Sequence, residues 1–200
     1  MSASEGAQRL YVIRHGQTQL NVDGRLRGLI DEPLDDAGHR QACALAELFA
    51  SVPLARLVTS PLRRAWETAE PIARATAATL EIDDAFVDRN WGPWAGKPRG
   101  DVEIEFGTLD RAPGVEPAGA VASRVIIAAR DLVNRAGDDA VAIVAHDAVN
   151  RALLARLADN TPAEAESIPQ RCGCWNRIER HNRRFLAMVI DALPGDGQEP

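Results

Sequence analysis

The chain has 200 residues, 46% of them hydrophobic and 26% charged, with a formal net charge of −6. This length and balance fit one ordinary globular domain that can bury a core without metal or disulfide staples. The acidic balance excludes a general nucleic-acid binder, which needs a basic footprint, and the odd count of three cysteines (Cys43, Cys172, Cys174) excludes a disulfide framework.

Residues 1–8 read as a loose polar leader with neither the basic nor the apolar region of a secretory signal, and no apolar run approaches the roughly 18 residues of a membrane span. The expectation is a cytoplasmic protein with no membrane partner. Residues 10–13 are four apolar residues bounded by polar ones, a buried strand that ends abruptly in Arg14, His15 and Gly16. Residues 19–34 carry Gly24, Gly28 and Pro33 and read as a loop. Asp35 or Asp36 can cap a helix over 36–50 with Ala42, Leu45, Ala46 and Phe49 on one face. Residues 57–59 form a second short strand, and Ser60-Pro61 follows as N-cap and first helical residue. That helix carries Leu62, Trp66, Ala69 and Ala73 on its buried stripe, places Arg63 in its first turn, and should kink or restart at Pro71. A weaker strand is expected around 80–82 and 86–87. Between Gly92 and Gly119, ten of 28 residues are Gly or Pro; this loop-rich segment, with one short helix near 101–106, has the length of a functional loop rather than of a second domain. An amphipathic helix through Val121, Val125, Ala129 and Leu132 is closed by Gly137. Residues 141–145 are the strongest strand, ending at His146, and Asp147 can cap the next helix, with Val149, Leu153 and Leu157 facing in. Two late strands, 174–179 and 184–190, are joined by a turn near His181-Asn182.

Three strand–turn–helix units therefore end in groups suited to an anion: Arg14 and His15, then Ser60 and Arg63, then His146. In an open α/β sheet the carboxyl ends of parallel strands line a common crevice, and helix N-termini add backbone donors there. Guanidiniums and imidazoles converging on such a crevice describe a phosphate site, because the planar fork of Arg grips two phosphate oxygens.

Arg14-His15-Gly16-Gln17-Thr18 with Asn21 resembles the signature of the histidine phosphatase superfamily, also called phosphoglycerate mutase-like. Gly38-His39-Arg40-Gln41-Ala42, the run from Ser60 to Ala69, the segment from Asp88 to Gly96, Pro113-Gly114-Val115-Glu116 with Ser123-Arg124-Val125, and Ala145-His146 with Arg151-Ala152-Leu153-Leu154 are similar to its further landmarks, in order. The resemblance implies a three-layer α/β/α sandwich with a mostly parallel central sheet. It also implies a phosphomonoester hydrolase acting on a small phosphorylated metabolite, without metal or cofactor. By the same resemblance His15 becomes a phosphohistidine, and Arg14, Asn21, Arg63 and His146 bind the phosphoryl oxygens. His15 must then have one unprotonated ring nitrogen, and a backbone carbonyl on the other would fix the tautomer.

The proton donor is the less regular part of the pattern. The family's acid, usually Glu, falls on Asp88, one methylene shorter, and Ala95 stands where Glu is common. Asp147 follows His146 where Gly is commoner, as in the branch whose donor is that Asp; it is the alternative acid, and its plainer reading is a helix cap. Two other functions share these residues. A mutase would return the phosphoryl group to a bound sugar acid, but the interval before the third family helix is short and lacks an Arg-Arg pair. A pseudoenzyme would bind phosphorylated ligands without turnover. Cys172, Cys174 and His181 make an incomplete metal set. Arg177, Arg180, Arg183 and Arg184 read as a charged sheet edge.

Overall fold

The computed structural model describes residues 8–158, 162–181 and 184–200. Among these residues one six-stranded mixed sheet runs in the order β3-β2-β4-β1-β5-β6. Its strands are β1 (Gln8–Arg14), β2 (Leu54–Thr59), β3 (Thr79–Ile82), β4 (Ala140–Ala145), β5 (Trp175–His181) and β6 (Arg184–Ala192). The β1–β4, β2–β4 and β2–β3 pairs are parallel, whereas β5 joins β1 and β6 joins β5 antiparallel.

Alternation along the central strands sorts the core into two layers. Leu10, Val12, Val141 and Ile143 face the helices α5 (Ala118–Ala136) and α6 (Asp147–Leu157), whose Val125, Leu132, Val149 and Leu153 are fully buried. Tyr11, Ile13, Ala142 and Val144 face α2 (Asp36–Phe49) and α3 (Arg63–Thr76), where Phe49 packs edge-on to Tyr11 at 5.1 Å. All six residues of β4 are buried because the strand is covered on both sides, as expected for a parallel centre. The expected three-layer sandwich is thus present.

Several local expectations need correction. Gln8, assigned to the leader, is the first residue of β1; residues 1–7 lie outside the described residues, as do Asn182 of the expected turn and Arg183. The loop over 19–34 contains a one-turn helix, α1 (Gln19–Val22), opened by a reciprocal Thr18–Asn21 capping box. Residues 84–86 form a 3-10 turn that buries Phe86, not a strand. α3 begins at Arg63 and continues past Pro71 without a restart. Ser60 does not cap it in the usual geometry; its hydroxyl accepts from Leu62 N at 3.3 Å and is shared with His146. His146, not Asp147, is the N-cap residue of α6. Asp147 lies inside the helix, paired with Arg151 one turn on.

The loop-rich segment carries the helix α4 (Arg99–Phe106) and 3-10 turns at 92–94 and 109–111, and it has a small core of its own. Leu26, Trp91, Val102, Leu109 and Ala112 are buried together, and Trp94 stacks edge-on to Phe106 at 4.9 Å. A short additional helix, α7 (Pro162–Ser167), follows α6.

Candidate active site

Parallel register places three residues in a row just beyond the strand ends. Arg14 pairs with Ala145 and Thr59 with Val144, and the next residues continue the ladder: His15 N donates to Ala145 O at 3.0 Å and Ser60 N to Val144 O at 3.1 Å. On its other side the His15 carbonyl accepts from Gly173 N at 3.0 Å. The nucleophile candidate is therefore held through both of its backbone groups, by β4 on one side and by the turn before β5 on the other. Gly16 follows because nothing larger fits: a Cβ there would sit 2.6 Å from the Gly38 carbonyl oxygen, and one on Gly38 would collide with the Gln17 carbonyl. The first turn of α2 is thus pressed directly on the turn that carries His15.

His15 is fully buried, and its Nδ1 lies 2.6 Å from the Gly16 carbonyl. A carbonyl only accepts, so Nδ1 carries the proton and Nε2 presents a lone pair. Nε2 is buried and has no hydrogen-bond partner among the described residues. Burial, then Arg64, Arg14 and Arg27, drive the imidazole's pKa well below its ordinary value, so the ring is neutral near pH 7. His146, 5.2 Å away between ring centroids, is neutral for the same leading reasons, burial and then Arg64. Its Nε2 is 2.8 Å from Ser60 Oγ, while its buried Nδ1 has no hydrogen-bond partner among the described residues and is 3.9 Å from Asp88 Oδ2.

Of the two adjacent arginines in α3, the sequence reading chose Arg63, and the geometry places Arg64 at the site instead. Arg63 points outward, its side chain 58% exposed and paired with Glu67 at 2.7 Å. Arg64 is wholly buried and held by three acceptors: Ile30 O at 2.8 Å, Gly28 O at 2.8 Å and Asp88 Oδ2 at 3.0 Å. The reason is helical phase. Arg64, Ala65, Thr68, Ala69, Ile72 and Ala73 form the buried face of α3, and Trp66, expected inside, is 37% exposed. Thr68 on that face accepts from Gly16 N at 3.0 Å, tying the helix to the His15 turn.

The other candidates converge. Arg14 is buried and donates to the Gln170 carbonyl. Asp88 is buried, with Oδ1 accepting from Arg89 N at 2.8 Å and Oδ2 engaging Arg64. Asn21 uses its side-chain oxygen to accept from Thr18 N at 3.1 Å, leaving its amide donors for the cleft. Asp147 accepts from Arg151 Nε at 2.5 Å. Arg14, Asn21, Asp88 and Asp147 line a cleft of about 410 Å³, within the usual range of a small-molecule site. Leu26, Trp91, Leu109, Val121, Ala148 and Ala152 also line it, together with charged side chains that include Arg25, Arg89, Arg99 and Glu103. Arg27 also lines it and is absent from the sequence reading. No period or motif marks that residue; its position depends on the 24–30 loop being pinned by Leu26 N to Lys97 O at 2.9 Å and Gly96 N to Leu26 O at 2.7 Å.

Two imidazoles at adjacent parallel strand ends, with guanidiniums around the free lone pair, place this chain among the phosphoryl-handling proteins of phosphoglycerate mutase-like fold. It belongs to the histidine phosphatase superfamily (branch 1), whose family model matches residues 10–191. It is 32% identical over 181 residues to a glucosyl-3-phosphoglycerate phosphatase of Mycolicibacterium vanbaalenii, covering 78% of each chain. The Mycobacterium tuberculosis protein of the same name is 33% identical over 112 residues, 56% of this chain and 48% of that one; the match thus spans about half the length of that relative. Among solved structures, that of a mycobacterial glucosyl-3-phosphoglycerate phosphatase superposes with a TM-score of 0.84 at 26% identity, covering 93% of this chain and 99% of that one. Bacillus stearothermophilus YhfR does so with a TM-score of 0.84 at 29% identity, covering 92% and 96%.

Proposed function

We propose that the protein is a phosphomonoester hydrolase that works through a phosphohistidine on His15. The observation that carries this is the locked tautomer, Nδ1–H on the Gly16 carbonyl with an unpartnered Nε2 among guanidiniums. Nε2 attacks phosphorus as the bond to the ester oxygen breaks, and the departing oxygen takes a proton from a carboxylic acid. Water, deprotonated by the same carboxylate, then attacks the phosphohistidine, releasing phosphate and restoring the imidazole. Arg14, Arg64, Asn21 and His146 Nδ1 hold the phosphoryl oxygens, where charge stabilisation and positioning carry most of the catalysis.

Asp88 is the proton donor in this reading. It lies 3.9 Å from His146 and next to Arg64, whereas Asp147 is committed to Arg151. The substrate is a small phosphorylated metabolite whose leaving group rests in the cleft against its apolar and charged lining; a glucosylated phosphoglycerate, named for the relatives, is the first to test. Such metabolites, and three free cysteines, fit the cytoplasm.

The test is phosphate release across a panel of phosphomonoesters, with 3-phosphoglycerate isomerisation followed alongside. Release by the wild type, lost in His15→Ala and lowered at least a hundredfold in Asp88→Asn but not in Asp147→Asn, is the expected outcome. Isomerisation without release would make the protein a mutase, and phosphate binding without turnover a pseudoenzyme. An unimpaired Asp88→Asn enzyme would remove Asp88 from the role.

A further inference from the structure

Arg14 enters the cleft on a thinner support than Arg64. Arg64 is held by three acceptors, one of them a carboxylate. Arg14 is buried, and its Nε has no hydrogen-bond partner among the described residues. Among those residues its side chain makes one hydrogen bond, from Nη1 to the Gln170 carbonyl. Where that carbonyl lies therefore decides where the guanidinium points. A neutral acceptor also orients the group without cancelling its charge, which stays available to a phosphoryl oxygen.

The place of Gln170 is set by its own side chain. The residue is buried and does not line the cleft. Its amide uses all four of its hydrogen-bonding positions. Nε2 donates to the Pro169 carbonyl and to Asn176 Oδ1, each at 2.8 Å, while Oε1 accepts from Asn150 Nδ2 at 3.0 Å and from Asn176 Nδ2 at 3.3 Å. Both asparagines are fully buried. Backbone groups fix which way the amides face: Asn176 Oδ1 also accepts from Asp191 N at 2.9 Å, and Asn176 Nδ2 donates to the Val12 carbonyl at 2.7 Å. Asn150 stands one turn into α6, its N bonded to the His146 carbonyl at 2.7 Å. The cluster thus joins β1 and β5 to the helix that follows His146, and Gln170 is where these supports meet Arg14. A core position filled by three amides is costly unless they are paired; once paired, they hold one arrangement rigidly.

We propose that Gln170 is a positioning residue for phosphoryl binding: anchored by Asn150 and Asn176, it presents its carbonyl so that Arg14 meets the phosphoryl oxygens in register with His146. This rests on the reading of Arg14 as a phosphoryl ligand of the proposed hydrolase. A displacement of about 1 Å in such a group can lower a rate by about a hundredfold.

The test uses Gln170→Glu and Gln170→Met, alone and combined with Arg14→Ala. Glu keeps the size of Gln but turns an oxygen towards Pro169 O and Asn176 Oδ1; Met keeps the length and removes the amide. Leu132→Ala, a cavity in the buried face of α5, is the stability control. All are assayed well below their melting temperatures, with kcat/KM read on p-nitrophenyl phosphate and inorganic phosphate affinity read by calorimetry. Each Gln170 variant is expected to lose about ten- to hundredfold in both quantities, the size of a hydrogen bond to a charged group. In the Arg14→Ala background the further loss in kcat/KM should be less than about twofold, because the carbonyl then has no guanidinium to place. Leu132→Ala should melt earlier and keep kcat/KM within about twofold. Unchanged phosphate affinity in a folded Gln170 variant overturns the proposal. So does an equal loss with and without Arg14, which would make the amide cluster a support of the fold alone. If neither Gln170 variant folds, Asn150→Ala, which removes one of the four bonds to that amide, takes their place in the same comparison. A wild type that binds phosphate but hydrolyses nothing defeats the hydrolase reading and leaves the calorimetric result to decide on Gln170.

Discussion

Arg63 and Arg64 are neighbours in the chain and stand on opposite sides of one helix, and their substitutions separate surface charge from site charge. Arg63→Ala removes an exposed pair one turn apart, typically worth about 0.3–0.5 kcal/mol, and is expected to leave kcat/KM within twofold. Arg64→Ala leaves the buried Asp88 carboxylate without its partner, a loss of about 3–5 kcal/mol in stability. Arg64→Lys retains the charge but not the planar fork that spans Ile30 O, Gly28 O and Asp88, and its kcat/KM is expected to fall at least tenfold. Denaturant titrations alongside steady-state assays read both effects. A fully active Arg64→Lys enzyme, or an Arg63→Ala enzyme as impaired as Arg64→Ala, would contradict the assignment.

At the level of elements, legibility followed locality. His15 and His146 stood out because each ends a short apolar strand, and strand, turn and helix lie within a few residues. α3 shows where that fails. Leu62, Trp66, Ala69 and Ala73 make a regular helical stripe, but so do Ala65, Ala69, Ile72 and Ala73. Alanines weigh little in a hydrophobic pattern, so the phase is decided by tertiary packing, including Thr68 meeting Gly16. Asp88 came from a family pattern and Arg27 from nothing, since both sit in irregular backbone positioned by contacts distant in sequence. The segment from 92 to 117 is the extreme case, with its own small core of Val102, Leu109 and Ala112 beneath Trp91. Each such side chain stabilises by only about 1–3 kcal/mol, and few are present, so this segment should open without global unfolding. Hydrogen exchange is expected to be faster at the amides of α4 than at those of β1 and β4 by orders of magnitude; equal protection would show that the segment and the sheet unfold together.

The whole molecule inherits a pH dependence from its two buried imidazoles. Both have folded-state pKa values well below the ordinary 6.5, so below about that pH the unfolded chain takes up protons that the folded chain refuses. Stability is therefore full above pH 6.5 and falls as the pH drops, by up to about 1.4 kcal/mol per unit for each imidazole. Urea midpoints measured from pH 7.5 down to 5 should show this slope, shallower in His146→Asn; a wild-type midpoint that rises on acidification would contradict it. The backbone of His15 carries a different consequence. Bonded to β4 on one side and to Gly173 on the other, the proposed nucleophile is held at the end of the central sheet, while part of the cleft lining comes from the 92–117 segment with its separate small core. On the proposed mechanism, the residue that reacts shares the fate of the sheet, and the segment facing the leaving group does not. Substitutions in the 92–117 segment are thus expected to shift substrate preference more than phosphoryl transfer itself.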